Sequence, residues 1–133
     1  VCGMSFQRPE NQLFLNSAYD EIALAPRCAH LDAVDADKAV RHAARLVGLS
    51  DEQLDFYPYA LSGGQRRRVE IARALLCGGC AVILDEPFTG LDASARDATA
   101  EAVLDLLDGR MLLLATHNVA DARALDISDI ITL

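Results

Sequence analysis

The chain has 133 residues, 52% hydrophobic and 24% charged, with a net charge of −8. That composition excludes a disordered segment, the length suits one domain with a modest core, and the acidic balance argues against a general nucleic-acid binder. No apolar run approaches the ~18 residues needed to span a bilayer, and no signal peptide is legible, so the reading is a soluble protein able to dock on a membrane partner.

In chain order, Val1–Phe6 reads as a short apolar strand, and Gln7–Gln12 as a polar loop containing Pro9. Residues 16–25 have helical character, and Pro26 is expected to end that helix. Asp35–Val47 is an amphipathic helix whose apolar stripe is Ala39, Val40, Ala43, Leu46 and Val47, stopped by Gly48. Ser50–Tyr57 predicts a short helical turn closed by Pro58. Ser62–Leu76 predicts a strong helix burying Val69, Ala72, Leu75 and Leu76. The pattern then changes to strand Ala81–Leu84, helix Asp92–Leu107, strand Met111–Thr116, helix Val119–Leu125 and strand Ile127–Leu133. These strands are continuous apolar runs without alternation, as a parallel sheet buried on both faces requires. The fold class is therefore α/β: a mostly parallel sheet flanked by helices, carrying a helical insertion between Gln7 and about Leu61.

Two features read as structural. The run Arg66-Arg67-Arg68 is expected to be a solvated helix face. Cys77-Gly78-Gly79-Cys80 has the spacing of a redox or half-zinc motif, but no second cysteine pair or paired histidines accompany it. It reads as a Gly-Gly turn between helix and strand, and nothing suggests a disulfide framework, which fits a reducing cytosol.

Ligands of open parallel sheets bind beyond the carboxyl ends of the strands. Three sets of polar residues fall there: Gln7 after the first strand, Asp85 and Glu86 after Ala81–Leu84, and His117 after Met111–Thr116. Each residue type has a task in phosphoryl transfer. Asp85 can hold a Mg²⁺-bound water, and Gln7 can offer its carbonyl oxygen. Glu86 suits deprotonation of the attacking water, and His117 can donate to a γ-phosphate. Separately, Leu61-Ser62-Gly63-Gly64-Gln65 opens the strong helix. Ser62 and Gln65 form a capping box, Ser-x-x-Gln. Capping does not explain Gly63 and Gly64, because each glycine in a helix costs roughly 1 kcal/mol relative to alanine. A bare backbone at a helix N-terminus, where the dipole is positive, suits a phosphate.

These runs resemble the motifs of ATP-binding cassette (ABC) ATPases. Leu61 to Arg68 is similar to the signature motif, and Leu84-Asp85-Glu86-Pro87 to the Walker B strand with its glutamate. Thr89-Gly90-Leu91-Asp92 resembles the D-loop and Thr116-His117 the H-loop. Phe6-Gln7 with Pro9 to Phe14 resembles the Q-loop. The order and spacing agree over nearly the whole chain, which resembles a partial ABC ATPase domain: residues 7–76 as the Q-loop and helical signature part, 77–133 as the α/β core. Residues 7–14 and 19–26 look most like the energy-coupling-factor and cobalt-importer ATPases.

The resemblance implies ATP and Mg²⁺ as cofactors, and Glu86, His117 and Gln7 as catalytic residues. It implies Asp85 and Gln7 at the metal, and Ser62, Gly63, Gly64, Gln65 and Asp92 at the nucleotide. In that family two ATPase domains pair head to tail, with Asp92 at the interface, and the Q-loop region meets a transmembrane subunit. The implied partners are thus a second ATPase domain and a membrane transporter subunit, with no nucleic acid, at the inner face of the cell membrane.

One motif of that family is missing. The phosphate-cradling run Gly-x-x-x-x-Gly-Lys-Ser/Thr does not occur, since the single lysine, Lys38, comes after Asp37. The expectation is a fragment that is weakly active or inactive alone, with exposed apolar edges that favour self-association. Two alternatives are a soluble ABC ATPase without a transport role and a truncated, non-hydrolysing binding partner.

Overall fold

The computed structural model describes residues 2–5 and 13–129. Its elements are β1 (Cys2–Ser5), α1 (Ala18–Cys28), α2 (Ala33–Leu46), α3 (Asp51–Leu54), α4 (Gly63–Leu76), β2 (Ala81–Asp85), α5 (Ala93–Leu107), β3 (Met111–Ala115) and α6 (Val119–Ala124). A 3₁₀ turn, Pro58–Ala60, precedes α4.

Capping chemistry sets most helix starts. Ser17, Asp32, Ser50, Ser62, Asp92 and Asn118 each accept a first-turn amide at the head of α1 to α6 in turn. Gly48 lies just past α2 with φ +77°, a conformation that glycine adopts without strain. Pro26 does not end α1, as its position had suggested; the helix runs on to Cys28 with Pro26 buried inside it. The ring fixes a φ that a helix accepts, and near a helix end the missing N–H forfeits one bond only.

The three strands form a parallel sheet in the order β1-β2-β3. Ser5 lies beside Leu84, and Asp85 beside Ala115, so the carboxyl ends of the strands are level. Helix α4 packs on β1 so closely that a Cβ on Gly3 would lie 1.9 Å from the Ala74 carbonyl oxygen. Two apolar clusters result. Leu13, Ile22, Val40, Leu54 and Val69 join α1, α2 and α3 to one side of α4. Ile71, Leu75, Val82, Leu84 and Val103 join the other side of α4 to β2 and α5.

Arg110 ties this second layer together. Its guanidinium donates to the carbonyls of Leu75, Cys77, Leu106 and Leu107 at 2.6–2.9 Å, closing the ends of α4 and α5 at once.

Three expectations need correction. Among the described residues, the sheet is covered on one face: Val82 and Leu84 are buried, but Met4, Met111 and Leu113 are exposed. The strand composition is that of a doubly covered sheet, yet the described helices pack on one face only. The arginine run is not a solvated face either. Arg67 is buried in an ion pair with the fully buried Glu70 at 3.0 Å, and Arg66 and Arg68 are half-buried. Finally, Ile127–Asp129 is irregular rather than strand; the remainder of that expected element, and the Q-loop run Phe6–Gln12, lie outside the described residues.

Among the described residues, no helix is long and apolar enough to cross a membrane.

Candidate functional site

The head of α4 is built by a reciprocal cap. The Gln65 amide donates to Ser62 Oγ at 3.2 Å, and the Ser62 amide donates to Gln65 Oε1 at 2.8 Å. This occupies Ser62 and Gln65, as the spacing suggested, while the amides of Gly63 and Gly64 have no partner within the helix. The two glycines differ. A Cβ on Gly64 would lie 3.3 Å from both the Gly90 carbonyl and a Leu91 methyl, so this glycine lets α4 approach the Thr89–Leu91 turn. A Cβ on Gly63 would meet nothing within 4 Å. Packing therefore accounts for Gly64 and not for Gly63.

Helix α4 and that turn enclose a cavity of about 550 Å³, lined by Ser62, Gly63, Gly64, Arg67, Arg68 and the stretch from Thr89 to Asp92 with Ala95. Asp92, the cap of α5, is brought here with the α4 head. Gln65 is not in the lining; its side chain serves the cap. Two lining cations, Arg67 and Arg68, went unrecognised in the sequence because an arginine run on a helix is most often solvated.

A second group of residues lies at the level strand ends. Glu86 directly succeeds β2 with φ +48°, a left-handed backbone that is rare for a side chain of this size. Its amide donates to the Ala115 carbonyl at 2.8 Å, which holds it against β3. Glu86 Oε1 accepts the His117 amide at 2.9 Å and meets His117 Nδ1 at 2.6 Å. The carboxylate side chain is 12% exposed and the imidazole 83%. Burial pushes the Glu86 carboxyl up, but the bonds from the His117 ring and backbone outweigh it and hold the group below its ordinary value. The hydrogen bond to Glu86, then its charge, raises His117. The contact thus favours the imidazolium–carboxylate form of the pair, with the ring largely exposed.

Further residues surround this pair. Thr116 Oγ1 lies 3.4 Å from Glu86 Oε2 and 2.9 Å from Asp121 Oδ2, and Asp121 pairs with Arg96 at 3.0 Å. The sequence named Thr116 only with His117 in the H-loop run, and nothing singled out Asp121 or Arg96, because a helical Asp and Arg 25 positions apart carry no shared pattern.

Asp85 is half-exposed at the end of β2, and no side-chain hydrogen bond or ion pair engages it among the described residues. No group of three or more His, Cys, Asp or Glu able to hold a metal occurs among them. Asp85 offers a single carboxylate at this strand end, and Mg²⁺ is commonly held by one or two carboxylates while keeping its waters. Gln7 lies outside the described residues. The Glu86–His117 pair does not itself line the cavity at α4, but Thr89, which does, brings its hydroxyl to 3.5 Å from Glu86 Oε2.

Comparison with known proteins gives a consistent result. The ABC transporter family matches residues 2–89. The chain is 40% identical over 124 residues to the energy-coupling factor transporter ATP-binding protein EcfA2 of Bacillus subtilis, covering 92% of this chain and 45% of that protein. It is 40% identical over 120 residues to EcfA2 of Streptococcus thermophilus, covering 90% and 43%. The chain thus spans less than half the length of these curated relatives. Among solved structures, it resembles the ATP-binding cassette MJ0796 in a dimeric post-hydrolysis state bound to ADP and Pi, with TM-score 0.80, 26% identity, and coverage of 92% of this chain and 55% of that one. It also resembles cbiO1 of Clostridium perfringens, part of the ABC transporter complex cbiONQ, with TM-score 0.72, 31% identity, and coverage of 89% and 47%.

Proposed function

The chain belongs to the ABC transporter family, and from that premise we propose that it forms part of the ATP-hydrolysing subunit of an energy-coupling-factor or cobalt-type importer. The observation that carries the reading is the Glu86–His117 contact of 2.6 Å at the carboxyl ends of two parallel strands. Phosphoryl transfer to water needs positioned charge and a base, and no covalent nucleophile. Glu86 takes the proton of the attacking water. His117 orients Glu86 through Nδ1 and its amide, and offers its other ring nitrogen to the γ-phosphate. Asp85, through water, and Gln7 would hold Mg²⁺, which would neutralise phosphate charge.

The head of α4 supplies a second phosphate site. Gly63 and Gly64 present backbone amides at the positive end of the helix, Arg67 and Arg68 add charge, and Asp92 lines the same cavity. As in the family the chain resembles, α4 of one subunit faces nucleotide held by the other in a head-to-tail pair. The subunit works at the inner face of the membrane against a transmembrane partner. These 133 residues contain no P-loop lysine, so by itself the chain hydrolyses ATP weakly or not at all.

Affinity purification of the natural protein from its own membranes tests the transport reading. The expected companions are a second ATPase domain and a polytopic membrane protein; recovery with ribosomes or DNA instead would contradict it.

A further inference from the structure

Thr116 has one hydroxyl proton and two carboxylates within reach. Its oxygen is 2.9 Å from Asp121 Oδ2 and 3.4 Å from Glu86 Oε2. One hydroxyl donates one hydrogen bond, so these contacts compete. The shorter contact wins the proton for Asp121, and the Asn118 amide donates to the Thr116 oxygen at 3.1 Å. Asp121 is itself fixed. It is 4% exposed, sits in the first turn of α6, and pairs with Arg96 at 3.0 Å. Arg96 lies one turn into α5, and its amide donates to the carbonyl of Asp92, the cap that lines the α4 cavity. A continuous chain of contacts therefore runs from Asp92 through Arg96, Asp121 and Thr116 to Glu86.

We propose that Asp121, held by Arg96, is a positioning residue for hydrolysis: it draws the Thr116 hydroxyl away from Glu86 and so leaves Glu86 Oε2, which the Thr89 hydroxyl meets only at 3.5 Å, freer to take the proton of the attacking water. With Asp121 removed, Thr116 turns its proton onto Glu86 and occupies that oxygen. The inference rests on the reading of Glu86 as the base.

Steady-state ATP hydrolysis by the complete natural ATPase tests it, with kcat and KM read separately. Asp121→Asn should lower kcat by about tenfold while leaving KM for ATP within about twofold. Adding Thr116→Val to it removes the hydroxyl that covers Glu86 and should restore kcat to near the parent value, which also shows that the Asp121 variant folds. Adding Thr116→Ser instead keeps the hydroxyl and should leave kcat low. If Asp121→Asn turns over like the parent, or if Thr116→Val fails to restore it, the proposal is overturned. Glu86→Gln separates this from the underlying reading: turnover that survives that change sinks the role of Glu86 itself, whereas its loss beside a fast Asp121→Asn sinks only the role of Asp121.

Discussion

Glu86 shows what a single residue demands of its surroundings. A left-handed backbone at a non-glycine position costs about 1–3 kcal/mol and persists only where neighbours over-determine it. Here the Ala115 carbonyl, the His117 amide and ring, and the Thr89 hydroxyl all engage Glu86. The pair has a defined pH window. Glu86 is held below its ordinary value, so its contribution to stability is present above about 4.5 and is lost as pH falls through the lowered folded value. His117 is raised above 6.5, so its contribution is full below that value and is lost as pH rises through the raised one. His117→Ala should therefore lower the melting temperature more at about pH 6 than at about pH 9. Equal losses at both would show that the imidazolium does not hold the carboxylate. At this scale the sequence was partly legible. Strand ends announced Asp85, Glu86 and His117, since a parallel sheet gathers at one edge the residues that succeed its strands. Arg67 was misread because its partner Glu70, three positions on, looks equally like a surface group; only the packing of α4 between two apolar clusters shows that both are buried.

At the scale of elements, α4 organises the molecule, and its two ends make different predictions. At its head, Gly63→Ala meets no neighbouring atom. It should stabilise the fold by about 0.5 kcal/mol through helix propensity while weakening nucleotide-dependent activity of the complete protein. Denaturant melting and turnover, measured on the same variant, would move in opposite directions if the bare backbone serves a ligand. At its tail, Arg110→Ala frees four carbonyls and should cost about 2–3 kcal/mol in denaturant melts. Arg110→Lys should recover only part, since an ammonium cannot fork to several carbonyls. Gly3→Ala, which drives a methyl into the Ala74 carbonyl, should cost about 3 kcal/mol. Helix starts were well read from the sequence because caps are local chemistry. The end of α1 was not, because a proline stops a helix only where the turn around it cannot close, and Pro26 is buried within a turn that completes itself.

For the whole molecule, the instructive error concerns the sheet. Its strands have the composition of a sheet covered on both sides, yet Met111 is 69% exposed and Leu113 56%. Periodicity reports what a strand is suited to face, not which elements the described residues provide to cover it. An uncovered apolar face beside a strand edge favours association. The isolated chain should sediment as concentration-dependent oligomers, and Met111→Lys with Leu113→Lys should shift it toward monomer; a monodisperse parent would contradict this. The central claim is that these strand ends carry the base of an ATPase. Its most direct test is single-turnover ATP hydrolysis by the complete natural protein carrying Glu86→Gln. The account predicts that ATP still binds while cleavage falls by about a thousandfold or more. Cleavage at the parent rate with binding intact would contradict it.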